Sequence, residues 1–203
     1  QPTTISGSFG YRPHPRLLVK ALEDNDIFRF EDGKIVEHWD NLQEIVTETV
    51  SGRSQIDGTT KITDLDKTEE NKALVKNFVA DVLMGKNPDK VTEYISTEKY
   101  LQHNPAVGDG LAALGEALQK LAEAGTPMVY TKNHAILGQG NFVLTVSEGQ
   151  FLGSHVAFYD LFRIEDGKLV EHWDTIEEIL PKEQWKNQNG KFGGLNDVFN
   201  EAA

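Results

Sequence analysis

Residues 26–45 read DIFRFEDGKIVEHWDNLQEI and residues 160–179 read DLFRIEDGKLVEHWDTIEEI, so 14 of 20 positions are identical at an offset of 134 residues. Chance does not produce such a match, and it is read as the duplication of one structural unit. The likeness continues faintly upstream, where TISGSFG (4–10) echoes TVSEGQFLG (145–153). Between those anchors the first copy carries YRPHPRLLVKALEDN where the second has SHVAFY. Only 25 residues precede the first copy, too few for the helices that lie ahead of the second. The expected organisation is a truncated C-terminal part of a first unit over 1–50, strands only, then a linker over 51–66. A complete unit follows over 67–192, with a flexible tail over 193–203. A sheet remnant without its helices leaves one apolar face bare, so it is expected to dock on the complete unit or on another subunit.

The chain has 203 residues, 38% of them hydrophobic, and a chain of this size buries roughly 70% of its unfolded surface. It contains no apolar run of about 18 residues, so no membrane-spanning helix is expected. Thirty-two acidic residues against twenty basic ones give a formal charge of −12. That field repels phosphate backbones and anionic lipid, so neither nucleic acid nor membrane is an expected partner. The absence of cysteine excludes disulfide scaffolds, thiolate metal sites and cysteine nucleophiles. Gln1 is followed by no charged n-region and apolar h-region. A cytoplasmic location is therefore the expectation, a leader already removed being the alternative.

The complete unit opens with a helix for which Thr68 is the expected N-cap, with Glu69 and Glu70 in the first turn. Leu74, Val75, Phe78, Val79, Val82 and Leu83 follow at helical spacing until Gly85. A short second helix starts near Pro88, YLQHNP (100–105) is brief and extended, and a third helix carries Leu111, Leu114, Leu118 and Leu121. Strands are expected over 128–137, 141–150, 155–165 and 168–179, parted by turns at Gly138-Gln-Gly, Glu148-Gly149 and Asp166-Gly167. About three helices packed on a curved, mainly antiparallel sheet make an α+β fold, and the repeat adds a second copy of the last strands. From Pro181 the chain turns polar and Gly-rich, with Trp185 and Phe192 as its anchors.

Strand alternation places Phe158, Asp160, Phe162 and Ile164 on one face of the 155–165 strand, and Tyr159, Leu161 and Arg163 on the other. In the next strand Val170, His172 and Asp174 share a face, opposite Leu169, Glu171 and Trp173. An aspartate among Phe and Ile on a core-facing strand is costly to bury without a partner or a purpose. Asp160, His172 and Asp174 are thus expected to line one half-apolar cavity, with His103 and Asn104 reaching it from the segment between helices and Phe158 and Phe162 as its apolar wall. A carboxylate in such a pocket has a raised pKa and becomes a proton acceptor near neutrality, and a neighbouring amide or ring nitrogen can donate to an oxyanion. Blander roles stand beside these: a sheet-edge contact for His172 and Trp173, a fold-determining ion pair for Asp160, a turn cap for His103 and Asn104. A metal site drawn from His103, His155, His172, Asp160 and Asp174 lacks a compact motif such as HExxH, so no metal and no cofactor is expected. His14 in RPHPR reads as an exposed loop residue.

The helix ENKALVKNFVADVL, the segment YLQHNPAVGDG, FYDLFRIEDGKLVEHWD and the closing NQNGKF together resemble SnoaL-like proteins of the nuclear transport factor two-like superfamily. The resemblance covers about 67–192 in full and 4–46 in part. It implies a cone-shaped half-barrel of α+β type. In the polyketide cyclases of this family an aspartate at the end of the last strand is the acid/base of an aldol closure, which by motif position falls on Asp174. A pocket asparagine of those cyclases corresponds to Asn104. Where they carry a histidine in the preceding strand this chain has Asp160, a departure that bears on the substrate. The resemblance implies a pocket protein acting next to a carbonyl group on a hydrophobic substrate, as an aldol cyclase, isomerase or dehydratase. The alternatives are a non-catalytic ligand-binding or assembly module, or a secreted or surface-associated binder. A homodimer, or an intrachain pseudo-dimer through the sheet, is the expected assembly.

Overall fold

The computed structural model describes residues 22–195; His14, the echo at 4–10 and the end of the tail lie outside the described residues. Among the described residues the chain forms seven strands and three α-helices. Strands β1 (Leu22–Glu31) and β2 (Lys34–Glu44) make a hairpin whose two turn residues, Asp32 and Gly33, both have positive φ (49° and 73°). This is the turn geometry that matches the twist of paired strands, and Asp-Gly supplies it at low strain. The same Asp-Gly pair, Asp166 and Gly167, joins β6 (Ser154–Glu165) to β7 (Lys168–Glu178). The two hairpins also share a bulge: Arg29 pairs Glu37 while Phe30 pairs Ile35, and Arg163 pairs Glu171 while Ile164 pairs Leu169. Val36 and Val170 are the extra residues.

Helix α1 (Thr68–Phe78) turns Val75 and Phe78 into the core, and a π-helical turn over Val79–Leu83 extends it to Gly85, whose φ is 75°. Thr68 does not cap it. A 3-10 turn (Leu65–Lys67) precedes the helix, so Thr68 falls inside its first turn, donating to Leu65 O and accepting from Gly140 N–H. Asp81 accepts hydrogen bonds from Tyr94 Oη (2.6 Å) and Asn87 Nδ2 (2.8 Å), which tie α1 to α2 (Val91–Tyr94) and hold its carboxyl down at about 2. Helix α3 (Gly110–Glu123) is amphipathic as its leucine spacing predicts, and ends before Gly125.

The main sheet has five strands in the order β3-β7-β6-β5-β4, with β3 (Leu101–Gln102), β4 (Val129–Gln139) and β5 (Phe142–Phe151). The expected antiparallel meander is there, and β3 adds a short parallel pairing at its edge. The α+β class holds, and the sheet stays open rather than closing into a barrel. The turn after β5 falls at Leu152-Gly153, not at Glu148-Gly149. Leu152 and Gly153 take positive φ (49° and 84°), whereas Gly149 pairs with Tyr130 and Val156 inside the sheet. On one face, α1, α2 and α3 pack with Tyr100, Phe162, Ile164 and Leu169. Leu169 therefore lies with the helices, against the alternation expected from Glu171 and Trp173, because the Val170 bulge shifts the phase by one residue.

The β1–β2 hairpin lies against the other face. Its Ile27 and Trp39 join Ala135, Leu137, Leu144, Val146, Ala157 and Tyr159 in a second apolar cluster. The bare face expected of an isolated hairpin is thus covered within the chain. The stretch 51–66 is more than a connector: Gln55 is buried, Trp173 Nε1 donates to Asp57 O (2.8 Å), and Thr63 exchanges hydrogen bonds with Asn141. Nor does the tail end its anchoring at Phe192, since Leu195 is completely buried in the second cluster.

Candidate active site

The register of β6 and β7 sets Asp160 directly opposite Asp174, and Phe162 directly opposite His172. Like charges facing each other across a strand pair repel, so each carboxyl needs its own partner. Asp160 Oδ1 lies 3.0 Å from His172 Nε2, and Tyr130 Oη, from β4, donates to both oxygens of Asp160 at 3.2 and 3.3 Å. Asp174 Oδ2 accepts from Asn104 Nδ2 at 2.7 Å. The other oxygen, Oδ1, is buried without a hydrogen-bond partner in another residue.

Strand β3 completes the cluster. It runs parallel to β7 with Gln102 beside His172, and Gln102 Oε1 lies 2.9 Å from His172 Nδ1. The same oxygen accepts the Asn104 backbone N–H at 3.0 Å, which identifies it as the carbonyl end of the amide. His172 Nδ1 must therefore carry a proton, and Nε2 and Asp160 share the next one. The imidazole is stacked on Phe162, with ring centroids 4.8 Å apart.

Asp160 is 1% exposed, Asp174 7% and His172 9%. Burial pushes the Asp174 carboxyl up; the His172 charge opposes that and Asp160 adds to it. For His172, burial disfavours the cation, but the hydrogen bond to Asp160 and the charges of Asp174 and Asp160 outweigh it, so its pKa lies above the ordinary value. The result is a carboxyl raised above its ordinary range beside a histidine–aspartate pair that holds a proton.

Of the residues expected from sequence, Asp160, His172, Asp174 and Asn104 come together, and Phe162 walls the cluster. Phe158 is buried one step away, stacked on Tyr130 at 4.2 Å. His103 does not join them. In an extended segment alternate residues face opposite sides, so Gln102 and Asn104 meet His172 and Asp174 while His103 crosses to the far face. There it stacks on Trp173 (4.6 Å), with Nδ1 at Ser54 O (2.7 Å) and Nε2 at Glu171 Oε1 (3.0 Å), and Glu171 also accepts from Arg163 Nε (2.6 Å). That ion-paired cluster is structural. His155 also stands apart, 3.5 Å from Glu148. Sequence reading missed Tyr130 and Gln102. The first becomes visible only with the β4–β5–β6 register, but the second sits two residues before Asn104 in an extended segment, and the same alternation would have found it.

Among the described residues, ligand atoms of Asp160, His172 and Asp174 lie within 4.8 Å of one another, so these three could hold a cation. A groove of about 450 Å³ lies elsewhere, lined by His38, Trp39, Asp40, Glu177, Trp185 and Lys191 among others. The hairpin repeats the pair itself: His38 Nε2 lies 2.5 Å from Asp26, and His38 stacks on Phe28 at 4.6 Å. Among the described residues it has no counterparts of Gln102, Asn104 and Tyr130, and the His38 side chain is 43% exposed.

Residues 75–172 match the SnoaL-like domain family. No curated protein sequence matches the chain. Three solved structures are among those to which the chain is similar. A candidate polyketide cyclase from Acidithiobacillus ferrooxidans is 15% identical, with a TM-score of 0.42 over 53% of this chain and 88% of that one. A candidate ketosteroid isomerase from Kribbella flavida is 12% identical, with a TM-score of 0.48 over 63% and 96%. A protein of unknown function with a cystatin-like fold from Xanthomonas campestris is 24% identical, with a TM-score of 0.44 over 53% and 91%. Among the described residues no helix is long and apolar enough to cross a membrane.

Proposed function

We propose that the chain, whose residues 75–172 match the SnoaL-like domain family, holds an acid–base centre that moves a proton next to a carbonyl group of a hydrophobic substrate. The observation that carries this reading is the half-partnered carboxylate of Asp174. Asn104 fixes one oxygen, and the other is buried with no donor from another residue. A carboxylate that is desolvated, oriented and left with a free lone pair is suited to take a proton from carbon. Asp174 is the base in this proposal. The proton shared by His172 and Asp160 supplies the electrophile: Nε2–H can turn its hydrogen bond toward an enolate oxygen as charge develops there. Gln102 holds the ring in its tautomer, and Tyr130 steadies Asp160. Aldol cyclisation, isomerisation and dehydration all begin with this proton abstraction, and Phe158, Phe162 and Tyr100 select an apolar substrate.

One observation favours a non-catalytic ligand-binding module instead. Tyr130 and Phe158 stack beside the cluster, and Asp160 is 1% exposed, so a ligand must displace side chains to reach it. The test is enolisation itself. In D₂O at neutral pH the protein should accelerate deuterium uptake at the α-carbons of an apolar bicyclic ketone, 2-decalone, followed by proton NMR. The Asp174→Asn variant should lose that acceleration. A protein that binds 2-decalone but exchanges it no faster than buffer is a binder and not an enzyme of this kind.

A further inference from the structure

The contact between the β1–β2 hairpin and the main sheet has a symmetry that the offset of the repeated motif makes visible. Adding 134 to any hairpin residue gives its counterpart in β6–β7. Leu42 N–H donates to Glu177 Oε2 (2.9 Å), and Ile176 N–H donates to Gln43 Oε1 (2.7 Å). Ile176 is the counterpart of Leu42, and Glu177 of Gln43, so these two bonds are one contact made twice in opposite senses. Between them Asn41 Nδ2 meets the O (2.7 Å) and Oγ1 (3.1 Å) of Thr175, its own counterpart. A residue that touches its own equivalent lies on a two-fold axis.

The reciprocity extends to the segments that follow each hairpin. Trp173 Nε1 donates to Asp57 O (2.8 Å), in the stretch after β2; Trp39 Nε1, its counterpart, donates to Gly193 O (2.8 Å), in the stretch after β7. Gly58 lies against Trp173 and Glu171, where a Cβ would come within 2.6 and 2.9 Å of them. Gly194 lies against Trp39 and Glu37, the matching pair, where a Cβ would come within 3.6 and 3.2 Å. Each hairpin thus has its tryptophan sealed by the strap of the other.

We infer that the hairpin is an intramolecular stand-in for a second copy of the complete unit, and that the sheet face it covers is a self-complementary dimer surface. Only an isologous contact has each residue i touching j while j touches i, and a covalently joined copy of half the partner reproduces that pattern here. The hairpin therefore caps the face: while Asn41 and Trp39 are seated, a second chain finds no place there, and when they leave, the occupant that fits is the β6–β7 hairpin of another copy. Tethering favours the internal partner by effective concentration. The apolar half of the surface, Ala135, Leu137, Leu144, Val146 and Ala157, stays covered in either arrangement.

The chain contains no cysteine, so a single engineered thiol reports directly. In a two-fold pair of complete units Thr175 faces Thr175 of the second copy, whereas in the closed chain it faces Asn41. The full-length T175C chain should therefore stay monomeric and uncross-linked on mild oxidation. Adding Asn41→Ala, and then Asn41→Ala with Trp39→Ala, should raise the covalent dimer roughly tenfold at each step, the factor that corresponds to about 1.4 kcal/mol of lost capping. Light scattering without oxidant should follow the same order. If the double variant loses its near-ultraviolet circular dichroism, Asn41→Ala alone decides. A natively folded T175C/Asn41→Ala chain that gives no more dimer than T175C overturns the proposal. So would dimers in T175C itself with the hairpin seated, as shown by slow amide exchange of β2.

Discussion

Asp160 and Asp174 face each other across two antiparallel strands, and a histidine and an asparagine, rather than distance, keep their charges apart. Each carboxyl is held by a different neighbour, so the two have different environments and different tasks. Asp160 is held by His172 and Tyr130, while Asp174 keeps one oxygen without a donor from another residue. Two titratable groups placed so differently within one cluster are how a site separates its acid from its base.

The histidine depends on its partner. Asp160→Asn removes one of the charges that raise His172 against its burial and leaves only a neutral acceptor for its Nε2–H. Its titration midpoint, above the ordinary value of about 6.5 in the native protein, should fall. Proton NMR of the imidazole checks this, and an unchanged midpoint would mean that His172 and Asp160 are not coupled.

His103 separates structure from chemistry. It stacks on Trp173 and bonds Glu171 on the face away from Asp174. His103→Ala should lower stability by roughly 1–3 kcal/mol, because it strips a buried partner from Glu171. It should leave the rate of 2-decalone exchange where it was. A large loss of exchange with stability preserved would place His103 in the site after all.

A buried acid in the hairpin makes stability depend on pH. Glu23 is 5% exposed, with a hydrogen bond from Gln55 Nε2, and burial raises its pKa to about 8, offset in part by that bond and increased by Asp174. A carboxyl that holds its proton more tightly when folded stabilises the fold most at low pH. That contribution is lost between the ordinary value near 4.5 and about 8. Glu23→Gln should therefore match the native protein near pH 5 and melt at a higher temperature than it near pH 8.5. Parallel melting curves across that range would show that Glu23 is not held neutral.

The strap after β7 is part of the core. Leu195→Ala should cost about 2–5 kcal/mol in urea unfolding, as for other fully buried leucines. A change within error would mean that the strap folds separately from the hairpin it covers.

Much of the fold was legible because its signals are local. Helical spacing from Leu74 to Leu83, the leucine face of α3 and the Asp166-Gly167 turn need no tertiary information, and they led to the right elements. The repeat led to the expectation of a second set of strands over 1–50 and of a surface that must cover them. What failed were the features set by neighbours. Thr68 lost its capping role to a 3-10 turn in front of it. Leu169 changed faces through a one-residue bulge. His103 was grouped with Asn104 by adjacency in sequence, although extended backbone sends adjacent residues to opposite faces. Tyr130 was out of reach, because only the pairing of three strands brings β4 to Asp160.

The central claim is that Asp174 is a desolvated carboxyl with one oxygen unclaimed. Carbon-13 NMR of a chain labelled at aspartate carboxyls, assigned by comparison with Asp174→Asn, titrates that group directly. The account predicts a midpoint above the ordinary aspartate value of about 3.9, moving higher still in His172→Gln, where the opposing positive charge is gone. A midpoint at or below the ordinary value, unmoved by the loss of His172, would contradict it.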